Sequence, residues 1–228
     1  RGTVEMPQAA SVAALLPAAD LCDGRLQNIH SNTNDNRRTV KWSGDDCSGE
    51  VLIVGTVDFD ADFTRITGIS QGGELRLTTK VDGTERSVRI RPSGGALSYD
   101  YQLNGARREM DAAAQAWLSE ALLFMFRRIG FMAEERATSI LDRRGAPALL
   151  AEAELLGSSH VRASYLTVLV ERGGLDATTL RSVLDQAGRT LDSDHYRTKI
   201  ITAVAGNYAM DDAMRDAYID AVSEVDSD

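Results

Sequence analysis

Glu74-Leu75-Arg76-Leu77-Thr78-Thr79-Lys80-Val81-Asp82-Gly83-Thr84-Glu85-Arg86-Ser87-Val88-Arg89-Ile90 is the stretch that decides the fold. Leu75, Leu77 and Val81 fall on one side of an extended chain while Glu74, Arg76 and Lys80 fall on the other, the period-two pattern of a strand buried on one face. Asp82-Gly83 supplies the positive-φ pair of a tight hairpin, and Val88 and Ile90 carry the pattern back. A hairpin with one apolar and one charged face belongs to an antiparallel sheet that needs a cover on one side only.

The pattern extends in both directions. After Pro92-Ser93-Gly94-Gly95, the residues Leu97, Tyr99, Tyr101 and Leu103 alternate as a further strand, ended by Asn104-Gly105. Upstream, Val40 and Trp42, then Val51, Ile53 and Val57, then Phe63, Ile66 and Ile69 mark three strands. Turns join them without intervening helices, so residues 39–110 are expected to form an antiparallel β meander. Asp111 is the expected N-cap of a helix over Ala112–Ile129, in which Trp117, Leu118, Ala121, Leu122, Met125 and Phe126 recur at helical spacing. This connecting helix, 111–130, is expected to lie on the apolar face of the sheet.

Beyond Gly130 the periodicity is helical throughout, with helices expected near 131–143, 147–156, 159–172, 176–190, 194–206 and 211–225. An ungapped offset of 35 residues carries His160 onto His195 and superposes Ser158, Arg162, Thr167, Asp176 and Asp185 on Ser193, Arg197, Thr202, Asp211 and Asp220. Apolar positions follow: Tyr165, Leu166, Leu169 and Leu184 meet Ile200, Ile201, Val204 and Ile219. Such a unit reads as a helical hairpin that buries its stripe by stacking on neighbours. The expected fold class is therefore α+β: an N-terminal antiparallel β sheet covered by a helix, then a C-terminal HEAT-like α-hairpin repeat stack over 131–228.

Residues 1–38 read as an N-terminal arm and disulfide loop, with a short helix over Ala9–Leu16. Cys22 and Cys47 flank a segment rich in Asn, Asp, Gly and Ser, and a bridge between them closes a loop worth about 3 kcal/mol of chain entropy. The bridge implies an oxidising compartment, and Arg1 at the start reads as a processed end. The chain has 228 residues, 43% of them hydrophobic, enough for a real core. Its formal charge of −9 argues against nucleic acid, because the basic pairs Arg37-Arg38, Arg107-Arg108, Arg127-Arg128 and Arg143-Arg144 are scattered among acids. No apolar run approaches the roughly 20 residues of a membrane span.

Candidate chemistry is sparse. His160 and His195 sit at equivalent places of the two units and read as structural residues near helix starts. Asp58, Asp60 and Asp62 alternate as calcium ligands do, but Phe63 and Ile69 stand where a calcium loop needs glycine and glutamate; a polar turn is expected, and a weak calcium site stays open. Gly68, Ser70 and Gly72 satisfy the spacing of a hydrolase elbow, yet Gly72-Gly73 leads into a strand rather than a helix. No catalytic, metal or cofactor-binding residue is assigned, and no cofactor is expected.

Trp42-Ser43-Gly44, the run Ile66-Thr67-Gly68-Ile69-Ser70 with Gly72-Gly73 and Leu75, Asn104-Gly105, Trp117-Leu118 and the Ser/Asp-x-His units together resemble extracytoplasmic segments of bacterial exported proteins, some attached to BlaR1-type membrane metallopeptidases. The resemblance spans roughly residues 40–225 and implies a periplasmic sensing or docking module; the peptidase's zinc-binding motif is missing, so no protease activity follows. The expected function is that of a non-enzymatic periplasmic scaffold. It would be an extrinsic subunit with protein partners in a membrane complex, a photosynthetic reaction-centre or light-harvesting assembly being one instance. The alternative is a sensor or ligand-binding module of a membrane signalling protein.

Overall fold

A computed structural model describes residues 21–22, 26–209, 215–216, 218–219 and 223. The helix expected over Ala9–Leu16, and most of that over 211–225, lie outside the described residues. A seven-stranded antiparallel sheet runs β1(Leu26–Asn34), β2(Arg37–Gly44), β3(Cys47–Val54), β6(Glu74–Val81), β7(Thr84–Ser93), β8(Ala96–Leu103), β9(Ala106–Arg108) in spatial order. A two-stranded hairpin, β4(Val57–Phe59) and β5(Ile66–Ile69), is inserted between β3 and β6.

The deciding hairpin forms in the expected register, with Leu75 opposite Ile90, Leu77 opposite Val88, and Val81 opposite Thr84. Asp82 and Gly83 both take positive φ, 47° and 76°, the backbone whose twist matches that of the flanking strands. Asn104-Gly105 does more than end β8: it turns the chain into β9, with Leu103 opposite Ala106.

Two expectations are corrected. The segment read as arm and disulfide loop contains β1, paired to β2 from Leu26–Gly44 to Asn34–Arg37. Almost all of β1 is exposed, so it carries no alternation for a sequence pattern to register. Secondly, Val57, Phe63, Ile66 and Ile69 do not belong to the main sheet. Gly55, at φ 77°, turns the chain away after β3, and a Cβ there would stand 2.4 Å from the Ser70 hydroxyl oxygen. The chain thus leaves the sheet as the β4–β5 hairpin and returns at Glu74.

The inner face of the sheet, with Val40, Trp42, Val51, Ile53, Leu75, Leu77, Val88, Ile90 and Tyr101, is buried. It meets α1(Ala112–Phe124), capped by Asp111, whose carboxylate accepts from the Ala114 amide at 2.8 Å. Trp117 packs on Tyr101 with ring centroids 5.6 Å apart, and its indole N–H donates to Thr79 Oγ1 at 3.1 Å; Phe124 meets Trp42 at 5.9 Å. Full burial of each such side chain stabilises by about 1.5–3 kcal/mol. The helix continues as a π-helical turn, Met125–Ile129, stopped by Gly130 in the left-handed region. Leu122 through Phe126 are all buried, because helices cover the side that faces away from the sheet.

The remaining described helices are α2(Ala133–Glu154), α3(Ser159–Arg172), α4(Ala177–Thr190) and α5(Asp194–Asn207). α2 breaks at Gly145, two residues before Pro147, so it forms two segments, as the sequence indicates. Packing joins α3 to both α2 and α5, and α4 to both α2 and α5. Ser158 accepts from the Val161 amide and Asp176 from the Thr179 amide, each capping its helix. Ser193 makes no such bond; its neighbour Asp194 pairs with Arg197 at 3.0 Å instead.

Candidate docking cleft

The Asp58-to-Asp62 loop serves as an anchor. Asp60 accepts from the Thr64 and Arg65 amides at 2.8 and 3.0 Å and from the Thr64 hydroxyl. Partial burial pushes its carboxyl upward, but these donors outweigh that and hold it below the ordinary aspartate value. Asp62 pairs with Arg144 at 3.3 Å, while Asp58 is exposed, so the three carboxylates do not converge. The turn holds Phe63 at φ 59°, a costly conformation for a bulky residue, and delivers its ring to the helices. Phe59 and Phe63 meet Phe126 edge-on at 5.2 and 5.3 Å.

Behind those rings lies a buried ionic joint. The Arg136 guanidinium sits 5.1 Å from the Phe63 centroid and 5.5 Å from that of Phe126, and donates to the Tyr165 hydroxyl at 2.7 Å and to Glu152 at 2.8 Å. Arg127 reaches the same carboxylate in a two-pronged contact, 2.7 and 3.1 Å. Burial pushes Glu152 upward, but the bonds and charges of Arg127 and Arg136 prevail and hold it below the ordinary glutamate value. Burial raises Tyr165, keeping it a neutral phenol. One carboxylate thus ties the end of the α1 path to both halves of α2, and Arg136 adds α3 and the β4–β5 hairpin.

Between the helices and the β1–β2 margin lies a cleft of about 860 Å³. Its floor is the inner face of the margin: Leu26, Ile29, Ser31, Thr33 and Val40. Its walls are Arg128–Glu135 at the α1–α2 junction and Gly157, Ser158, His160, Val161 and Ser164 at the start of α3. The junction is tight, since a Cβ on Gly130 would lie 2.5 Å from Val161 Cγ2. Arg38 of β2 bridges the mouth to Glu135 of α2 at 2.6 Å. Ile29 is 45% exposed on the floor, a large apolar side chain that this part of the sheet leaves uncovered.

Three polar groups on the α3 wall of the cleft are engaged within the protein. The Ser158 hydroxyl caps α3, and the Ser164 hydroxyl donates to the His160 carbonyl. His160 shares a hydrogen bond with the Tyr196 hydroxyl at 3.1 Å, and the Tyr196 ring lies 5.6 Å from that of His160 and 5.2 Å from that of His195. The two histidines therefore flank one tyrosine. Ser70 is a turn residue whose hydroxyl accepts from the Thr56 amide at 3.0 Å. Among the described residues, no three His, Cys, Asp or Glu side chains gather as a metal would need. Cys22 and Cys47 are joined, with Cα atoms 5.4 Å apart, and clamp the chain entering β1 to the start of β3.

The outer face of the sheet has the opposite character. Pairing brings Arg37, Lys41, Arg76, Lys80, Arg89, Arg91 and Arg107 to it, against Glu50, Glu74, Glu85 and Asp100. Cations exceed acids there although the whole chain carries −9.

Sequence reasoning missed Arg136, Glu152 and the cleft. The first two had a signal: Arg136 stands four residues from both Met132 and Ile140, and Glu152 three from Leu149 and four from Leu156, so each interrupts an apolar stripe. The cleft had none, because it unites residues distant in the chain. No protein-family model matches the sequence, and neither a curated protein nor a solved structure is similar enough to count as a match.

Proposed function

We propose that the protein is a non-enzymatic extracytoplasmic interaction module, an extrinsic subunit that docks on a membrane protein complex through the β1–α3 cleft. The observation that carries this reading is the cleft itself: an open, partly apolar trough in which the Ser158 and Ser164 hydroxyls are bonded to backbone and His160 to the Tyr196 hydroxyl. A site that binds without reacting needs shape and apolar surface rather than a nucleophile paired with a base. The Cys22–Cys47 bridge supports a periplasmic or other oxidising location. Among the described residues no helix is long and apolar enough to cross a membrane. The packing of α3 between α2 and α5, and of α4 against the same two helices, supports a HEAT-like repeat reading for the helical part, with the helices as the frame that holds one wall of the cleft.

The test is co-purification from detergent-solubilised membranes with mass spectrometry, using the native sequence and Ser31→Trp, which fills the cleft from an exposed strand position. Recovery of membrane subunits at fixed stoichiometry with the native sequence, and their loss with Ser31→Trp, is expected. Equal recovery with both proteins contradicts the reading. A second reading is a sensor or ligand-binding module of a membrane signalling protein; a monomer whose melting temperature rises with a small metabolite would favour it.

A further inference from the structure

We infer that β1 is a template for strand addition: an extended segment of a partner protein pairs with Leu26–Asn34, its alternate small apolar side chains entering the cleft and acidic ones facing outward. This rests on the docking reading and specifies its mode. The first observation is the contrast between the two margins of the sheet. β9 is only three residues long and includes Arg107 and Arg108, the shortness and charge that keep an edge from pairing with other chains. β1 is nine residues long, LQNIHSNTN, and includes no Lys, Arg, Asp, Glu or Pro. Among the described residues it pairs only with β2, so the backbone N–H and C=O groups on its other side face outward.

The second observation is where the cleft lies. A strand added beside β1 would stand about 4.8 Å away, with every second side chain on the inner face. That row would meet Ile29 on the floor and Phe131 and Val161 on the walls. The trough is roomy enough for side chains yet bounded by the Arg38–Glu135 bridge, which favours small apolar residues such as Val or Ala. Backbone pairing supplies affinity in this mode and the pockets for alternate side chains supply selectivity. The third observation sets the other row. Residues facing outward on the added strand join the outer face, where the pairing brings His30 of β1 and then Arg37 and Lys41 of β2, with Lys41 paired to Glu50 of β3. Acidic side chains complement that face, and their advantage fades with salt.

The experiment titrates the whole chain with synthetic nine-residue peptides alternating Val and Glu, followed by calorimetry and by amide chemical shifts. Two further versions have N-methyl groups on one or the other alternate set of residues. In strand addition only one set of peptide amides faces β1, so one version should lose at least tenfold in affinity and the other less than threefold. A Val-Lys peptide should bind at least tenfold more weakly at low salt, and shifts should concentrate in residues 26–34. No binding of the Val-Glu peptide, or equal effects of the two N-methylated versions, overturns strand addition. If these fail while Ser31→Trp still abolishes co-purification, docking stands without this mode. If Ser31→Trp leaves co-purification intact, docking itself falls.

Discussion

The sheet and the helical part of this protein are held together by different physics. In the sheet, an alternating apolar row meets α1, and among the described residues the buried polar contact across that interface is the Trp117 indole to Thr79. In the helical part, directional polar contacts join one helix to another. Arg136 and Arg127 converge on Glu152, Gln186 donates to the Leu150 carbonyl, and Tyr208 donates to the Val170 carbonyl. Arg162 reaches three carbonyls near helix C-termini, those of Ala153, Leu156 and Thr190. Apolar rows tolerate exchange of similar shapes; a buried ion pair is a rule about which helix goes where, and it fails sharply when half of it is removed.

The sharpest way to break this comparison is Glu152→Ala. Arg127 and Arg136 would be left buried without their anion, and a loss of about 3–5 kcal/mol is expected in urea denaturation. Replacing all three together, R127M, E152L and R136M, should cost far less, because no stranded charge remains. The same carboxylate dictates a pH dependence. Its folded-state pKa is depressed, so its contribution is fully present above the ordinary glutamate value and is lost as pH falls through that value toward the folded one. Glu152→Gln should flatten the acid limb of the stability profile.

Next in size is the covalent clamp on the sheet margin. C22S with C47S opens a bridge of sequence separation 25, and about 3 kcal/mol should be lost; the effect should fall on β1 and β3 and spare the helices, as residue-resolved exchange would reveal. Trp117→Phe tests the polar tie under α1. It leaves the buried Thr79 hydroxyl without its donor, at a cost of about 1–2 kcal/mol. The smallest effect separates the two repeated units: Ser158→Ala removes a cap and should cost about 1 kcal/mol, whereas Ser193→Ala, which makes no cap bond, should stay within about 0.5 kcal/mol. Equal costs would restore the equivalence that the sequence offset implies.

What the sequence discloses follows the same division. Asp82-Gly83 and its flanking alternation announce a hairpin and its register, and Asp111 with the Trp117-to-Phe126 spacing announces the helix that covers the sheet. These signals are local, and each depends on residues within a few positions. β1 is silent because a strand exposed on both faces has no apolar period. The departure of Val57 and Phe63 from the main sheet is hidden because their apolar spacing is the same whether they pack on α1 or on Phe126. Arg136 and Glu152 look like any charged residues of a helix until the stripe they interrupt is noticed, and the cleft exists only once residues 26–40 face residues 129–164.

Residue-resolved amide hydrogen exchange along β1 in the free protein tests the open margin most directly. The account predicts alternation over residues 28–34: amides bonded to β2 protected, those facing outward exchanging quickly, with continuous protection across β2 and β3. Uniform slow exchange along β1 would mean that its outer side is already paired, and would contradict the claim that this margin awaits a partner.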